Sequence, residues 1–398
     1  MDITIKPSCL KGTLNAVSSK SDGHRKIICA ALCDSETEII INNISDDIEA
    51  TLACIKNLGG DFVKTENGVL IKPVLEKKDK AVLDFRESGS TARFLLPVAA
   101  AICENGEFSG KGRLPERPLA EITREMRKNG VWVSSDNLPV NTKGLLKSGT
   151  FEISGDVSSQ YISGLLFALP MLCSESKIKL TSPLMSAPYV DMTLDTLRKF
   201  GVEIEVLENE YVVRPQRFKS PGKLEVEGDW SAAAFWVVAD KICKNIKIEG
   251  MNPNSHQGDR KIVEILDETE IDAANIPDLV PILAVLAASR VGTTRIFGAE
   301  RLRQKESDRL FAMTKCINDL GGRTEETADG MIIYGSGKLT GGVVDSFSDH
   351  RIAMSATIAS VICENEVKIL GAECVKKSYP SFFCDFEKLG GVFDVSDR

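Results

Sequence analysis

Ile55-Lys56-Asn57-Leu58-Gly59-Gly60-Asp61-Phe62-Val63 reads as the end of an amphipathic helix, a glycine stop and the start of a strand. Gly59 supplies the left-handed C′ residue that ends the helix and aims the strand that follows. The same signature returns at Met126 to Val133, Leu197 to Ile204, Ile317 to Arg323 and Phe386 to Phe393. Successive copies lie about 70 residues apart, apart from one double gap in which a degenerate copy around Ile262 to Ile271 fits. A period of that length is a compound α/β unit rather than a solenoid turn, and six such units fill the 398 residues.

Between the glycine stops the pattern is a strand, a Ser/Thr/Gly loop carrying Arg or Lys, and a helix start. The first interval gives a strand at Asp2 to Lys6, a polar loop at Val17 to Arg25 and a helix through Lys26 to Leu32. The second has Glu87 to Arg93 leading into Phe94 to Ile102, then the loop Gly112 to Pro118; the third has Gly155 to Tyr161 leading into Ile162 to Leu172, then Ser182 to Tyr189 and a helix from Val190. Turn residues at Ser220-Pro221-Gly222 mark a domain boundary, after which Gly228-Asp229-Trp230, Ile276-Pro277-Asp278 and Asp349-His350-Arg351 open three further helices. Helix N-termini of this kind expose backbone N–H groups and are ready anion sites.

Composition narrows the function. With 49 basic and 57 acidic residues the net charge is −8, which provides no long-range attraction for nucleic acid or an anionic membrane, so any anion binds in a local pocket. The 11 cysteines contain no CxxC pair and read as reduced thiols of a cytoplasmic protein. No run is long and apolar enough for a bilayer, Met1 to Lys6 lacks a signal-peptide core, and no His/Cys/carboxylate spacing points to a metal. Neither a GxGxxG nor a Walker loop follows a strand, so a site without cofactor is expected.

The most charged stretch is Arg301 to Arg309, which enters a helix near Ser307 carrying Leu310, Met313, Ile317 and Leu320. Arg303, Lys305 and Arg309 there oppose the positive end of the helix dipole, and Lys305 and Arg309 repel one another at i,i+4. Alone, this is a solvated charged turn. Set beside Lys20, Ser21 and Arg25, Ser90 and Arg93, Arg117, Ser158 and Ser159, Arg351 and Lys377, all at loop-to-helix junctions, it becomes one part of a site for small polyanions. Asp278, Glu306, Asp229 and Asp349 are the acids on the same kind of loop; Asp278, before the apolar Leu279 to Ala288, reads equally as a base and as an N-cap.

In sequence order, Ser19-Lys20-Ser21 with Arg25, Gly89 to Arg93, Leu114 to Pro118, Val157 to Gln160, Pro277-Asp278, Leu302 to Arg309, Asp349 to Arg351 and Lys377 to Pro380 resemble the enolpyruvyl transferase family, in the branch that acts on shikimate 3-phosphate. The resemblance spans essentially the whole chain. It implies a two-domain inside-out α/β barrel, each domain made of three βαβαββ units, with residues 1–18 and 226–398 in one discontinuous domain, residues 19–225 in the other and the active site in the cleft between them. It also implies transfer of the enolpyruvyl group of phosphoenolpyruvate to the 5-hydroxyl of 3-phosphoshikimate with release of phosphate, by a cytoplasmic monomer of aromatic amino-acid biosynthesis that needs no metal or cofactor.

Carried over position by position, Lys20, Ser21, Arg25, Ser158, Ser159, Gln160, Ser186, Asp278 and Lys305 would hold 3-phosphoshikimate, and Lys20, Gly89, Arg117, Gln160, Arg309, Arg351 and Lys377 phosphoenolpyruvate. Asp278, Glu306 and Lys20 would be the catalytic set. Gly89, having no side chain, leaves room for glyphosate, so competitive inhibition is expected. The chain departs from the family pattern at Val17-Ser18, Asp22-Gly23-His24, Glu87 and Arg301. Its sister branch, which acts on UDP-N-acetylglucosamine, carries Asn after the Lys and a loop Cys, whereas Ser21 follows Lys20 and no Cys lies between Lys111 and Glu121. An RNA 3′-phosphate cyclase would need a basic surface, and a silent anion binder would be hurt by Asp278 and Glu306 beside its cations.

Overall fold

Gly59 has φ 110°, and its N–H and that of Gly60 return to carbonyls of the preceding helical turn, as a helix stop requires. Gly130, Gly201, Gly321 and Gly390 share the positive φ, so every copy of the stop marks a real turn from helix to strand. The computed structural model describes residues 1–76 and 78–396. Lys77, Asp397 and Arg398 lie outside the described residues, the last two at the end of the expected 226–398 segment. The chain divides into a continuous unit, Lys20–Val226, and a split unit, Met1–Ser19 with Glu227–Arg398. Each has its own apolar core.

In the continuous unit, helices α1 (Lys20–Ala31) and α2 (Asp46–Leu58) belong to the first repeat, α3 (Gly89–Ile102) and α4 (Ala120–Lys128) to the second, α5 (Ser159–Ala168) and α6 (Ala187–Lys199) to the third. The second repeat shows the plan. Strand Lys80–Asp84 lies parallel to Asn105–Ser109, which pairs antiparallel with Val140–Lys143, which in turn pairs antiparallel with Trp132–Val133. Thr150–Ile153, Ser176–Leu180, Glu210–Val213 and Glu205–Val206 repeat that order. The first repeat does so as well, but takes its opening strand, Lys223–Glu225, from the far end of the unit. The turn Ser220 to Gly222 therefore precedes the last strand of the continuous unit rather than ending it.

The split unit holds α7 (Trp230–Cys243), α8 (Val280–Ala288), α9 (Arg309–Asp319), α10 (His350–Ala359) and α11 (Phe382–Lys388). Its last repeat borrows the N-terminal strand Asp2–Lys6, which pairs antiparallel with both Val367–Leu370 and Val392–Ser396. The repeat around α7 is the degenerate one. Gly12–Asn15 and Ile246–Glu249 form only a two-stranded parallel sheet, and the second helix is reduced to the 3-10 turns Gly258–Val263. Ile262 and Ile265 still enter the core, which explains why a faint pattern survives there without its hairpin. The class is α/β, built on βαβαββ units; among the described residues there are six sheets, five of them sharing one strand order, and none of these sheets closes on itself.

Within each unit the first helix of a repeat is enclosed and the second is amphipathic. All nine residues of α8 are buried, as expected of a helix apolar all round, and α3 is buried at every position except Ser90. In α9, by contrast, Leu310, Met313 and Ile317 are buried while Phe311, Lys315 and Asn318 are exposed. Each buried Leu, Ile, Val or Phe contributes about 1.5–3 kcal/mol. The enclosed helices leave only their ends free to carry polar groups.

Candidate active site

Those ends gather the candidate site residues. In the continuous unit α1 begins at Lys20, six residues before the position the sequence pattern indicated, so Lys20, Ser21 and Arg25 stand on the helix and not on a loop. The polar run looks like a loop because its burial comes from elsewhere in the fold: Asp22, His24, Arg25 and Lys26 are all buried. Lys20 Nζ lies 2.8 Å from Asp47 in the first turn of α2. Arg25, 2% exposed, donates Nε to Thr193 Oγ1 at 2.8 Å and its two Nη groups to the carbonyls of Ser21 and Tyr189 at 2.7 Å each, with the guanidinium 5.1 Å from the Phe94 ring centre. Every partner is neutral. Burial, opposed by Asp22, pushes its pKa down to about 10, so it stays charged at pH 7 and retains a full positive charge for an external anion.

The starts of α3 and α5 face each other. Ser88 caps α3 by accepting the Thr91 N–H, Ser158 caps α5 by accepting the Gln160 N–H, and Gln160 Nε2 donates to Ser90 Oγ at 2.9 Å. Ser159 is the first residue of α5, and Ser186, with φ 58°, is the N-cap residue of α6, three positions before the Tyr189 carbonyl that holds Arg25. Gly89 opens α3 under two guanidiniums: a Cβ there would lie 2.6 Å from Arg117 Nη1 and 2.8 Å from Arg93 Nη1. Arg93 is buried against the Tyr161 ring, 5.6 Å from its centre, with Nη1 3.4 Å from the Gly89 carbonyl and, among the described residues, no hydrogen-bond partner for Nε.

The split unit is built the opposite way. Asp308, not Ser307, is the N-cap of α9, accepting the Phe311 N–H at 3.2 Å, while the Ser307 hydroxyl donates to Asp349 Oδ2 at 3.0 Å. Lys305 ends the preceding turn Glu300–Gln304, so it and Arg309 are not i,i+4 neighbours on one helix; both cations instead approach Asp278 Oδ1, which offsets their mutual repulsion. Arg303 is a structural link, donating to Glu326, Asp308 and the Thr327 carbonyl. Arg309 is the hub: Nε donates to Asp349 at 2.8 Å, Nη1 to Asp278 at 2.8 Å and Nη2 to Glu306 at 2.7 Å. Burial works against its charge, but Asp349, Glu306 and Asp278 hold its pKa above the ordinary arginine value.

Asp278 does not cap α8. It lies within the 3-10 turn Pro277–Leu279, and Leu279 occupies the N-cap position without a side-chain cap. Its carboxylate instead sits 2.8 Å from Arg309 Nη1, 3.2 Å from Arg351 Nη2 and 4.0 Å from Lys305 Nζ, and its carbonyl accepts from Arg351 Nη1 at 3.0 Å. Burial pushes its pKa up, but Arg351, Lys305 and Arg309 together outweigh burial and bring it well below the carboxylate range. Asp349 caps α10 and, fully buried, also receives Arg309 and Ser307. Lys377 stands apart from this cluster along the chain, at the end of the turn Ala372–Lys377, which packs on α10.

The fold thus gathers Asp278, Lys305, Glu306, Arg309 and Arg351 into one ionic cluster. Sequence reasoning assigned no role to Asp47 or Thr193, whose partners lie 27 and 168 residues away, and placed Asp349 at a helix start without a cation partner. An acid in the first turn of a helix, such as Asp47, reads as a dipole partner and carries no further signal. Among the described residues no helix is long and apolar enough to cross a membrane and no group of three or more His, Cys, Asp or Glu is placed to hold a metal ion.

Residues 5–272 and 266–386 match the family model of EPSP synthase (3-phosphoshikimate 1-carboxyvinyltransferase). This chain belongs to the EPSP synthase family. Among curated members it is 44% identical to the 3-phosphoshikimate 1-carboxyvinyltransferase of Clostridium acetobutylicum, with 98% of this chain and 97% of that one aligned. It is 42% identical to the enzyme of the same name from Clostridium kluyveri, with 98% of each covered. The EPSP synthase structure from Acinetobacter baumannii superposes over 100% of both chains with a TM-score of 0.83 at 25% identity. EPSP synthase membership agrees with the enolpyruvyl transferase resemblance of the motifs.

Proposed function

We propose that this member of the EPSP synthase family transfers the enolpyruvyl group of phosphoenolpyruvate to the 5-hydroxyl of 3-phosphoshikimate and releases phosphate, in the cytoplasm and as a monomer. The observation that carries the reading is Asp278, a part-buried carboxylate held ionised by Arg309, Arg351 and Lys305. In the continuous unit Arg25, Ser21, Ser158, Ser159, Gln160 and Ser186 bind 3-phosphoshikimate. Gly89 and Arg117 bind phosphoenolpyruvate, and Lys20 serves both. In the split unit Lys305 binds 3-phosphoshikimate, while Arg309, Arg351 and Lys377 bind phosphoenolpyruvate.

Asp278 accepts the proton of the 5-hydroxyl as its oxygen adds to C2 of phosphoenolpyruvate, and Glu306 with Lys20 protonates the methylene carbon. The tetrahedral adduct then loses a methyl proton and inorganic phosphate, leaving the enol ether. An ionised carboxylate with a strongly depressed pKa is a weak base, and the ionic cluster supplies the remedy. When substrate carboxylate and phosphate engage Arg351, Lys305 and Arg309, Asp278 loses the cations that held its pKa down while its burial remains, so its basicity rises as the site fills. Excluding water then strengthens each remaining charge interaction.

The test is phosphate release from phosphoenolpyruvate offered with either 3-phosphoshikimate or UDP-N-acetylglucosamine. Release with 3-phosphoshikimate alone is expected; release only with the sugar nucleotide, or with neither, overturns the reading. Sedimentation of the purified protein checks the monomer.

A further inference from the structure

One buried carboxyl of the split unit has no part in the chemistry above. Asp259 lies in the 3-10 turns Gly258–Val263, which replace the second helix of the degenerate repeat and pack against both the start of α7 and the turn carrying Asp278. It is 1% exposed. The Ser231 hydroxyl, at the start of α7, donates to Oδ2, whereas Oδ1 is buried and has no hydrogen-bond partner among the described residues. An ionised carboxylate is not left in that condition without a large cost, since a buried charge needs pairing and hydrogen bonds to its remaining lone pairs. The charged groups acting on it are Asp278, Arg351 and Asp229. Asp278 is already an anion paired with Arg351, at 3.2 Å.

We propose that Asp259 is a positioning residue for the enolpyruvyl transfer: a carboxyl on the turn packed against the one that carries Asp278, which works in its neutral form, leaving the charge of Arg351 for Asp278 and for the incoming substrate carboxylate. This rests on the function proposed above. Ionising Asp259 adds a buried anion to the neighbourhood of Asp278, and the two compete for one guanidinium. Arg351 is then drawn away from the substrate, and phosphoenolpyruvate binds less well. The electrostatics agree: burial, then repulsion by Asp278, push the Asp259 pKa up to about 7 against the pull of Arg351 and the Ser231 hydroxyl.

The experiment is the pH profile of kcat/KM for phosphoenolpyruvate in the wild type, Asp259→Asn and Ser231→Ala. Wild-type kcat/KM falls about tenfold per pH unit above the Asp259 pKa, as one ionisation requires. Asp259→Asn, uncharged at every pH, lacks that alkaline limb. Ser231→Ala removes a hydrogen bond that favours the ionised form, so the limb moves to higher pH. Superimposable profiles for all three proteins overturn the proposal. A second readout needs no substrate and no turnover: the infrared carboxylic-acid C=O band of the wild-type protein loses a component as pH rises through about 7, and Asp259→Asn lacks this component. No titrating band near that pH overturns the proposal even if the enzyme is active. A protein that releases no phosphate with 3-phosphoshikimate, yet shows the band, refutes the assigned reaction and leaves the neutral carboxyl standing.

Discussion

The two units hold their buried arginines in opposite ways. In the continuous unit Arg25 is fixed by a hydroxyl and two carbonyls, and Arg93 by a carbonyl and an aromatic face. In the split unit Arg309 is surrounded by three carboxylates, and Arg351 is paired with Asp278. Neutral partners orient a guanidinium without cancelling its charge, so Arg25 keeps its charge for an external anion. Carboxylate partners cancel the charge but become chemical groups themselves, held ionised until a substrate anion takes over their cations. On the proposed mechanism the continuous unit chiefly binds, with Lys20 sharing one proton transfer, and the split unit both binds and moves protons.

The contrast breaks first at Asp278. Asp278→Asn removes the base and is expected to lower kcat about 10²- to 10⁴-fold, with circular dichroism showing the fold intact. Phosphate release within tenfold of wild type would take Asp278 out of the mechanism. Arg25→Ala comes next. It deletes an uncancelled charge whose hydrogen bonds to an anion are worth about 1.5–3 kcal/mol, so the Kd of 3-phosphoshikimate should rise roughly 10- to 100-fold by titration calorimetry. An unchanged Kd would make the neutral cradle purely structural.

Gly89→Ala sharpens the comparison further. The added methyl would lie 2.6 Å from Arg117 Nη1 and 2.8 Å from Arg93 Nη1, so both guanidiniums must shift. The KM for phosphoenolpyruvate should rise on the order of tenfold, and competitive inhibition by glyphosate, expected for the wild type, should weaken with it. Glyphosate without effect on the wild-type enzyme would refute the space argument at Gly89.

The smallest effect separates the units by pH. His24, buried in the continuous unit with Nδ1 2.7 Å from Thr51 Oγ1, has its pKa lowered to about 3, by burial first and by Lys20 and Arg25 against the pull of Asp47. Its folded pKa lies below its unfolded value, so its stabilising effect is complete above about pH 6.5 and is lost as pH falls toward 3, by at most about 1.4 kcal/mol per pH unit. Asp259 in the split unit is raised to about 7, so its stabilising effect is complete below the ordinary Asp value and is lost as pH rises through about 7. Hydrogen exchange at pH 7.5 and 5.5 should therefore show protection falling in the core of the continuous unit and rising in that of the split unit. Equal changes in both cores would contradict the assignment.

Much of the fold was legible because its markers are local. A residue such as Gly59 ends a helix through its own backbone angles, and the amphipathic stripe of α9 repeats every turn, so neither needs a distant partner to be recognised. The start of α1 was misread for the opposite reason. Lys20 to Arg25 is polar, and only the packing of other elements around it turns those residues into a buried helical turn. At Asp278 the sequence supported a cap and a base equally, and the cations around its carboxylate decide against the cap.

By itself the sequence determined the glycine-punctuated α/β repeat, its one degenerate copy and the inventory of cations, hydroxyls and acids at helix starts. Only the tertiary structure decided which acid meets which cation. Arg309 finds Asp278 and Asp349 at separations of 31 and 40 residues, and Arg351 finds Asp278 at 73. Coulomb energy depends on distance through space and on the dielectric around each pair, and neither is written along the chain.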